Sequence, residues 1–387
     1  MSVAFTRPLS SSMSAQFPKQ KPAEWISSLI QRYQDQLPTR TGRQMDSEGR
    51  QLLNTSHSCI INVSKHHLHL VLQALVRVLK AVNASRWTSE AALVQSRLVV
   101  LETLFECLSE AESPSGRSVE RECCMKNVLE EMSGLIGNRG SVADKAALVV
   151  GRVGALHPSL MLSRLERALD ALHTEDTTSE EQSDLALSQL ALIGFVPFEL
   201  DCIIKILTQV NQHWPPRKEF VENVCNMISA VLWRWIERCP DQFSALQHSS
   251  QHQLSDVCDG LFMNMNTAEL RRRGHCWPVQ MLLIAVSPCS LEAMAHADSD
   301  LVNLPQAVVI KRQFVDSVVS CVQSCGSGTR PVWTSQLQYA CHAAVNLCKC
   351  ATYVNLSDFF VFNVVQQLIE HVKVVVKLLS NCSLRSS

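Results

Sequence analysis

The chain has 387 residues, of which 46% are hydrophobic, and a formal net charge of −1. This length exceeds the usual size of one hydrophobic core, so we expect two or three compact domains or one extended array of repeats. A nearly neutral chain has no general attraction for nucleic acid or an anionic membrane, and the longest apolar run, residues 281–286, is too short to span a bilayer. We therefore expect neither a nucleic-acid partner nor a transmembrane segment.

Residues 1–21 are serine-rich and contain no acidic residue. They lack an apolar stretch long enough for a secretory signal, and a single arginine, Arg7, makes them a weak match to a mitochondrial presequence. We therefore predict a disordered N-terminal tail.

The sequence also contains 16 cysteines, many of them at core positions of predicted helices, where a free thiol behaves as a small hydrophobic group. Because the chain is long and has no recognisable secretory signal, we expect these cysteines to be reduced and the protein to be in a reducing, intracellular compartment.

Hydrophobic periodicity predicts helices along almost the whole chain. The first covers about residues 23–37, with Trp25, Leu29 and Tyr33 at i, i+4 and i+8, and a polar stretch then extends to about His57. Residues 64–82 follow as an amphipathic helix. Its predicted apolar face consists of Leu68, Val71, Leu72, Leu75, Leu79 and Val82, and its polar face of His66, His69, Gln73, Arg77 and Lys80.

Turn signals and acidic stretches separate the remaining predicted helices. Residues 111–118 and 324–331 are predicted loops, and residues 173–183 are a predicted mobile loop because they contain four acidic residues but no lysine, arginine or apolar residue. The helices are predicted near 90–109, 119–136, 142–156, 158–172, 184–194, 199–212, 217–239, from Pro240, 253–266, 278–287, 303–323, 333–351 and 357–380.

The fold class predicted from this pattern is all-α. Helix pairs recur at about 40 residues, which is the range of HEAT and armadillo repeats, so we predict an α-solenoid over residues 22–380 and a short tail at 381–387. A closed helical bundle is the alternative, although such a bundle does not easily grow this long.

Trp233 and Trp235, which are separated by a single residue, bear on the choice between a solenoid and a closed bundle. On a helix, Trp235 continues an apolar stripe, whereas Trp233 points away from it. We therefore predict that Trp235 is a core residue and that Trp233 contacts another helix, as expected in a stacked array. The stripe also contains Val221, Val224, Cys225, Ile228 and Leu232.

Two groups of residues are candidates for a metal site. His66, His67 and His69, with Cys59 nearby, could bind a metal, but His66 and His69 share the polar face of their helix and are better explained as solvated side chains. The other candidate is a cysteine cluster whose spacing matches no familiar zinc module, so buried core thiols are the favoured explanation. This cluster consists of Cys321, Cys325, Cys341, Cys348 and Cys350.

Catalytic motifs are not recognisable. Arg271, Arg272 and Arg273 could bind phosphate or an acidic partner, but basic residues followed by Gly274 are more typical of a helix C-terminus. Residues 137–147 lack the spacing of a phosphate-binding loop, and neither a nucleophile elbow nor a zinc-binding helix motif occurs. We therefore assign no catalytic, cofactor-binding or metal-binding residue, expect no cofactor, and predict that the chain is not an enzyme.

Six sequence blocks occur in the same order as in a known family. They are EWISSLIQRYQDQLPTRTGRQ (24–44), CIINVSKHHLHLVLQALVRVLKAVN (59–83), RLVVLETLFECL (97–108), VLWRWIERCPDQFSAL (231–246), WPVQMLLIAVSP (277–288) and NLCKCATYVNLSDF (346–359). Together they resemble the N-terminal region of the neurofibromin family of Ras GTPase-activating proteins. The resemblance extends from about Pro22 to Leu379, is weaker between about 111 and 215, and does not include the leading tail.

The resemblance implies a helical solenoid that is part of a negative regulator of Ras signalling. It implies protein partners, homodimerisation through the solenoid in the full-length protein, and a cytoplasmic location with action at the inner face of the plasma membrane. In that family Ras is bound by a downstream domain that supplies an arginine finger, and nothing in this chain resembles that domain. We therefore expect a fragment, a partial gene model or a short isoform, and Arg271–Arg273 inherit no catalytic role.

Two other classes of function stay open on the sequence. One is a free-standing solenoid adaptor, which the sequence downstream of Ser387 would distinguish from a neurofibromin-like regulator. The other is an unrecognised enzyme or zinc protein, which would depend on the cysteine cluster and which metal analysis of the pure protein would test.

Overall fold

A computed structural model describes residues 22–38, 47–87, 89–111, 119–137, 140–173, 179–246, 249, 251–288, 290, 306–324 and 334–353. These residues form fifteen α-helices and no strand, which confirms the predicted all-α class for this part of the chain. The helices belong to two compact units that divide between Leu156 and His157.

The described residues of the first unit form five helices that pack in a regular order. These are α1 (Pro22–Asp35), α2 (Ser47–Ala84), α3 (Glu90–Ser109), α4 (Val119–Ile136) and α5 (Ser141–Leu156). Helices α2 and α3 form one neighbouring pair and α4 and α5 form the next, while α2 also packs on α4 and α3 on α5. Each pair therefore buries its apolar faces against the following pair, and α1 packs on α2.

Helix α2 is longer than its sequence indicates. It begins at Ser47, so the prediction that the polar residues up to about His57 precede the helix is wrong. The helix is interrupted at His67, which has non-helical backbone angles. Before this break the buried positions are Ser56, Ile60 and Ser64, and two of these are small polar residues that give no hydrophobic signal. After the break, the predicted apolar face of residues 68–82 is buried as expected.

Helix α1 packs through a face one residue away from the predicted one. Its buried side chains are Ile26, Ile30 and Tyr33, whereas Trp25 and Leu29 are half-buried. The hydroxyl oxygen of Tyr33 lies 2.7 Å from Thr103 Oγ1 on α3, so the polar end of this buried ring has a partner. The predicted helix is therefore correct, but its core face is defined by the isoleucines.

The described residues of the second unit form ten helices. These are α6 (Pro158–His173), α7 (Glu180–Ile193), α8 (Leu200–Gln212), α9 (Val221–Arg238), α10 (Pro240–Leu246), α11 (His252–Met265), α12 (Ala268–Arg273), α13 (Trp277–Val286), α14 (Gln306–Ser324) and α15 (Ser335–Tyr353). The neighbouring pairs are α6 with α7, α8 with α9, α11 with α13 and α14 with α15. Contacts between α6, α8 and α11 form one layer, and contacts between α7, α9, α13 and α15 form the other.

The start of α7 corrects the predicted acidic loop. Ser179 accepts a hydrogen bond from the backbone N–H of Gln182, and the Gln182 side chain accepts one from the backbone N–H of Ser179. This reciprocal capping box satisfies two helix N-terminal donors, so residues 180–183 are helical and only residues 174–178 of the predicted loop lie outside the described part.

Two further boundaries differ from the prediction. Helix α9 begins at Val221 and not near residue 217, because residues 218–220 form a turn in which the Phe220 N–H donates to the Arg217 carbonyl oxygen. Helix α12 is missing from the predicted helices as an element of its own, since six residues are too few to show a helical period, although the pattern of Arg271–Arg273 and Gly274 indicates its C-terminus. The predicted tails at 1–21 and 381–387, the loops at 112–118 and 325–331, and the helix at 357–380 lie outside the described residues.

No single helix in the described ranges is long and apolar enough to cross a membrane. The consecutive helices α5 and α6 reach the length and apolar composition of a membrane span only when they are counted together.

Candidate functional site

The tryptophan pair on α9 is the first candidate site, and its two members have different surroundings. Trp235 is 0% exposed and packs edge-on against Phe243, with 6.1 Å between the ring centroids. Its indole N–H donates to Gln242 Oε1 at 3.3 Å. Trp235 is therefore a core residue, as its position on the apolar stripe predicts.

Trp233 is half-buried and contacts α15, which confirms the predicted contact with another helix. Its indole N–H donates to Asn346 Oδ1 at 3.2 Å, and the ammonium nitrogen of Lys349 lies 5.1 Å from its ring centroid. The Asn346 side chain also donates to the carbonyl oxygen of Pro278 at 2.9 Å, so this amide connects α9, α13 and α15. Trp233 thus makes an internal contact between helices.

The arginines of α9 are also used inside the fold. Arg234 Nε donates to the carbonyl oxygen of Gly194 at 2.6 Å, and its guanidinium carbon lies 5.1 Å from the ring centroid of Phe195. Arg238 donates to the carbonyl oxygen of Pro197 at 2.6 Å and pairs with Glu199. Both side chains hold the segment between α7 and α8 against α9.

Arg271, Arg272 and Arg273 form the last turn of α12, as their sequence pattern predicts. Gly274 follows with a left-handed backbone (φ 81°) and ends the helix. All three arginines are exposed, and Arg273 lies 3.1 Å from Glu269. Lys218 is the main cause of the lowered pKa of the Glu269 carboxyl, and Arg273 adds to it. The arginines therefore lie at a helix C-terminus, where cations are favoured, and one of them pairs with Glu269.

The histidines of α2 do not converge on one point. His66 is exposed, His67 lies at the interruption of the helix, and His69 Nε2 lies 3.7 Å from Glu120 Oε2. Across the described ranges, no three His, Cys, Asp or Glu side chains are grouped so that they could hold a metal ion. The solvated helix face is therefore the better description of these histidines.

The described members of the predicted cysteine cluster lie on two helices. Cys321 is on α14, and Cys341, Cys348 and Cys350 are on α15, while Cys325 lies outside the described residues. Burial raises the pKa of the Cys350 thiol to about 12 and raises that of Cys348 as well. Because a metal binds the thiolate, raised pKa values at Cys348 and Cys350 oppose metal binding there.

Four residues that sequence reasoning did not combine form a cluster between α9, α13 and α15. The thiol of Cys225 donates to Cys276 Sγ at 3.8 Å, and both residues are buried. Next to them, the Tyr339 hydroxyl donates to Glu222 Oε1 at 2.9 Å. The hydrogen bond to Cys276, together with burial, raises the pKa of the Cys225 thiol well above its ordinary value. Burial and the bond to Glu222 also raise the pKa of Tyr339.

A second polar cluster surrounds a buried cation. The ammonium nitrogen of Lys311 on α14 lies 2.5 Å from Asp259 Oδ1, 3.1 Å from Ser290 Oγ and 3.4 Å from Ser287 Oγ. Because Asp259 is on α11 and both serines follow α13, the lysine connects three helical segments. A buried ammonium group with one carboxylate and two hydroxyls has the partners that its burial requires.

No family model matches the chain. In the described residues, the aromatic, basic and buried polar side chains above chiefly join helices to one another within each unit.

Proposed function

We propose that this chain is a non-catalytic helical scaffold from the N-terminal region of a neurofibromin-like Ras GTPase-activating protein. The observation that carries the proposal is the packing order of the helices, in which each pair contacts the next within each unit. This order is typical of HEAT-like and armadillo-like α-solenoids, whose repeats contact only their neighbours and present extended surfaces to partners. The six sequence blocks that resemble the neurofibromin family support the same assignment.

The proposed partners are proteins. We propose a homodimer built through the solenoid of the full-length protein, and contact with Ras only through a downstream domain. The proposed location is the cytoplasm, with recruitment to the inner face of the plasma membrane. Each of these statements depends on the family resemblance.

A GTP hydrolysis assay tests the non-catalytic part of this proposal. An arginine finger accelerates hydrolysis by Ras about 10³- to 10⁵-fold, and Arg271–Arg273 occupy the end of a short helix beside Glu269. In a single-turnover assay, Ras mixed with the purified chain should hydrolyse GTP at its intrinsic rate. A Ras GTPase-activating domain in a parallel reaction is the positive control, and stimulation of about a hundredfold by this chain would refute the proposal.

A free-standing solenoid adaptor is the alternative function, because the same packing order suits an adaptor that recruits proteins. The reading frame downstream of Ser387 in the source transcript distinguishes the two functions. A GTPase-activating domain encoded in that frame supports the regulator, and a stop codon in every transcript supports the adaptor.

A further inference from the structure

Cys225 and Cys276 are two thiols in contact inside the second unit. Their sulfur atoms are 3.8 Å apart, and the residues are 2% and 0% exposed. A disulfide requires about 2.05 Å between sulfurs, so a decrease of roughly 1.8 Å would allow a bond to form. Side-chain rotation and a small shift of the surrounding backbone can supply a change of this size.

The positions of the two cysteines explain what such a bond would join. Cys225 lies within α9, and Cys276 is the residue immediately before α13. Helices α9 and α13 belong to successive pairs of the packing order and contact each other in the same layer. A covalent bond here would therefore connect two adjacent pairs across 51 residues of sequence.

The direction of the hydrogen bond indicates which sulfur reacts first. The Cys225 thiol donates to Cys276 Sγ, so Cys225 holds its proton within the pair and Cys276 is the accepting sulfur. Cys276 also lies in the turn between α12 and α13, and turns open locally more easily than the interiors of helices. A small oxidant would reach Cys276 in such an opening.

We propose that Cys225 and Cys276 are a modification site that forms an intramolecular disulfide when the protein is exposed to a peroxide. The Cys276 thiolate attacks one peroxide oxygen; an S–O bond forms, the O–O bond breaks, and the other oxygen leaves and becomes water. The Cys225 sulfur then attacks the Cys276 sulfur, so that an S–S bond forms and the S–O bond breaks. The departing hydroxide takes the Cys225 proton and leaves as a second water. The two thiols are oxidised and the peroxide is reduced, by two electrons in total.

The disulfide has a mechanical consequence for the second unit. In the reduced state α9 and α13 are held by non-covalent packing, and in the oxidised state they cannot separate without breaking a covalent bond. The contact of Trp233 with Asn346 belongs to the same group of helices, because Asn346 also bonds to Pro278 on α13. Oxidation would therefore make this part of the helical array more rigid.

Peptide mapping of the purified chain tests the proposal directly. The folded, reduced protein is treated with hydrogen peroxide, its remaining thiols are alkylated, and it is digested with trypsin without reduction. We expect a linked pair of peptides, residues 219–234 and residues 274–311, whose mass is lower by two hydrogen atoms and which separates after treatment with dithiothreitol. Fragmentation of the second peptide distinguishes Cys276 from Cys289.

Matched variants complete the test. Cys225→Ala and Cys276→Ala should abolish the linked pair, whereas Cys258→Ala, which removes another fully buried thiol of the same unit, should retain it. Peroxide should also raise the melting temperature of the wild type by about 5 °C, reversibly, because a cross-link restricts the unfolded chain.

Three outcomes would overturn the proposal. The first is oxidation of other cysteines without a link between Cys225 and Cys276. The second is conversion of Cys276 to a sulfinic acid while Cys225 stays alkylatable. The third, a linked protein that melts no higher than the reduced one, would refute the rigidifying role.

Discussion

Trp233 and Trp235 are separated by a single residue on α9, and truncation of each should change the stability of the protein by a different amount. Trp235→Ala removes a fully buried ring that packs on Phe243, and we expect it to lower the free energy of unfolding by about 3–5 kcal/mol. Trp233→Ala removes a half-buried ring with one hydrogen bond to Asn346, and we expect a loss of about 1–3 kcal/mol. Urea unfolding of both variants measures the difference. If Trp233→Ala left stability unchanged, its contact with α15 would contribute nothing and the residue would be better explained as a docking position.

Replacement of Gln280 on α13 is expected to increase stability, in contrast to the tryptophan substitutions. Its side chain is 0% exposed, and among the described residues neither its amide nitrogen nor its amide oxygen has a hydrogen-bond partner. A buried unsatisfied polar group costs about 1–3 kcal/mol, so Gln280→Leu should raise the free energy of unfolding by about 1–2 kcal/mol. Gln280→Glu is the matched control, and it should destabilise the protein because it buries a charge of the same shape. Destabilisation by the leucine, as measured in the same urea titration, would indicate that a buried water satisfies the amide.

At the scale of the element, the start of α7 depends on its capping box. Ser179→Ala removes the oxygen that accepts from the Gln182 N–H, and we expect it to cost about 1 kcal/mol of stability. Ser179→Asp keeps an acceptor at the same position and should preserve stability. Thermal unfolding measures the effect, and hydrogen exchange of the amides of residues 180–183 locates it. Equal stability of the alanine and aspartate variants would contradict the role of the cap.

The helices that sequence reasoning placed best are those with a continuous apolar stripe. The prediction of 90–109 matches α3, and that of 119–136 matches α4, because most of their buried residues are apolar and lie at helical spacing. The prediction failed where a helix is polar, as in the first half of α2, where Ser56 and Ser64 occupy buried positions. It also overlooked the S-x-x-Q pattern of Ser179 and Gln182, which is a readable signal of a helix start.

The candidate sites were less predictable than the helices, for a physical reason. The apolar stripe of α9 identifies Cys225 as a core residue, but nothing in the local pattern indicates that Cys276 is its neighbour. The same applies to Lys311 and Asp259, which are 52 residues apart. Helical periodicity specifies which face is buried and does not specify which residue of a distant helix packs against it.

At the scale of the whole molecule, the two compact units should respond separately to damage. Trp235 lies in the core of the second unit, and in a stacked array a perturbation acts mainly on neighbouring pairs. In Trp235→Ala, amide hydrogen exchange should therefore increase first around residues 217–290, while residues 60–110 keep the protection of the wild type. Exchange measured by mass spectrometry provides the comparison, with Leu148→Ala as a control at an exposed position of the first unit. A simultaneous increase in both regions would show that the chain unfolds as one cooperative body.

The distance along the chain between Trp233 and Asn346 has a consequence for biosynthesis. The second residue is added 113 residues after the first, and at about 5–20 residues per second a ribosome needs roughly 6 to 23 seconds to synthesise that interval. Helices α2 and α3, in contrast, can pair as soon as Ser109 has left the exit tunnel. During the interval the indole of Trp233 has no partner from α15, so the nascent chain presents an uncovered aromatic group near the end of α9. A chaperone that binds emerging apolar segments would encounter the chain there.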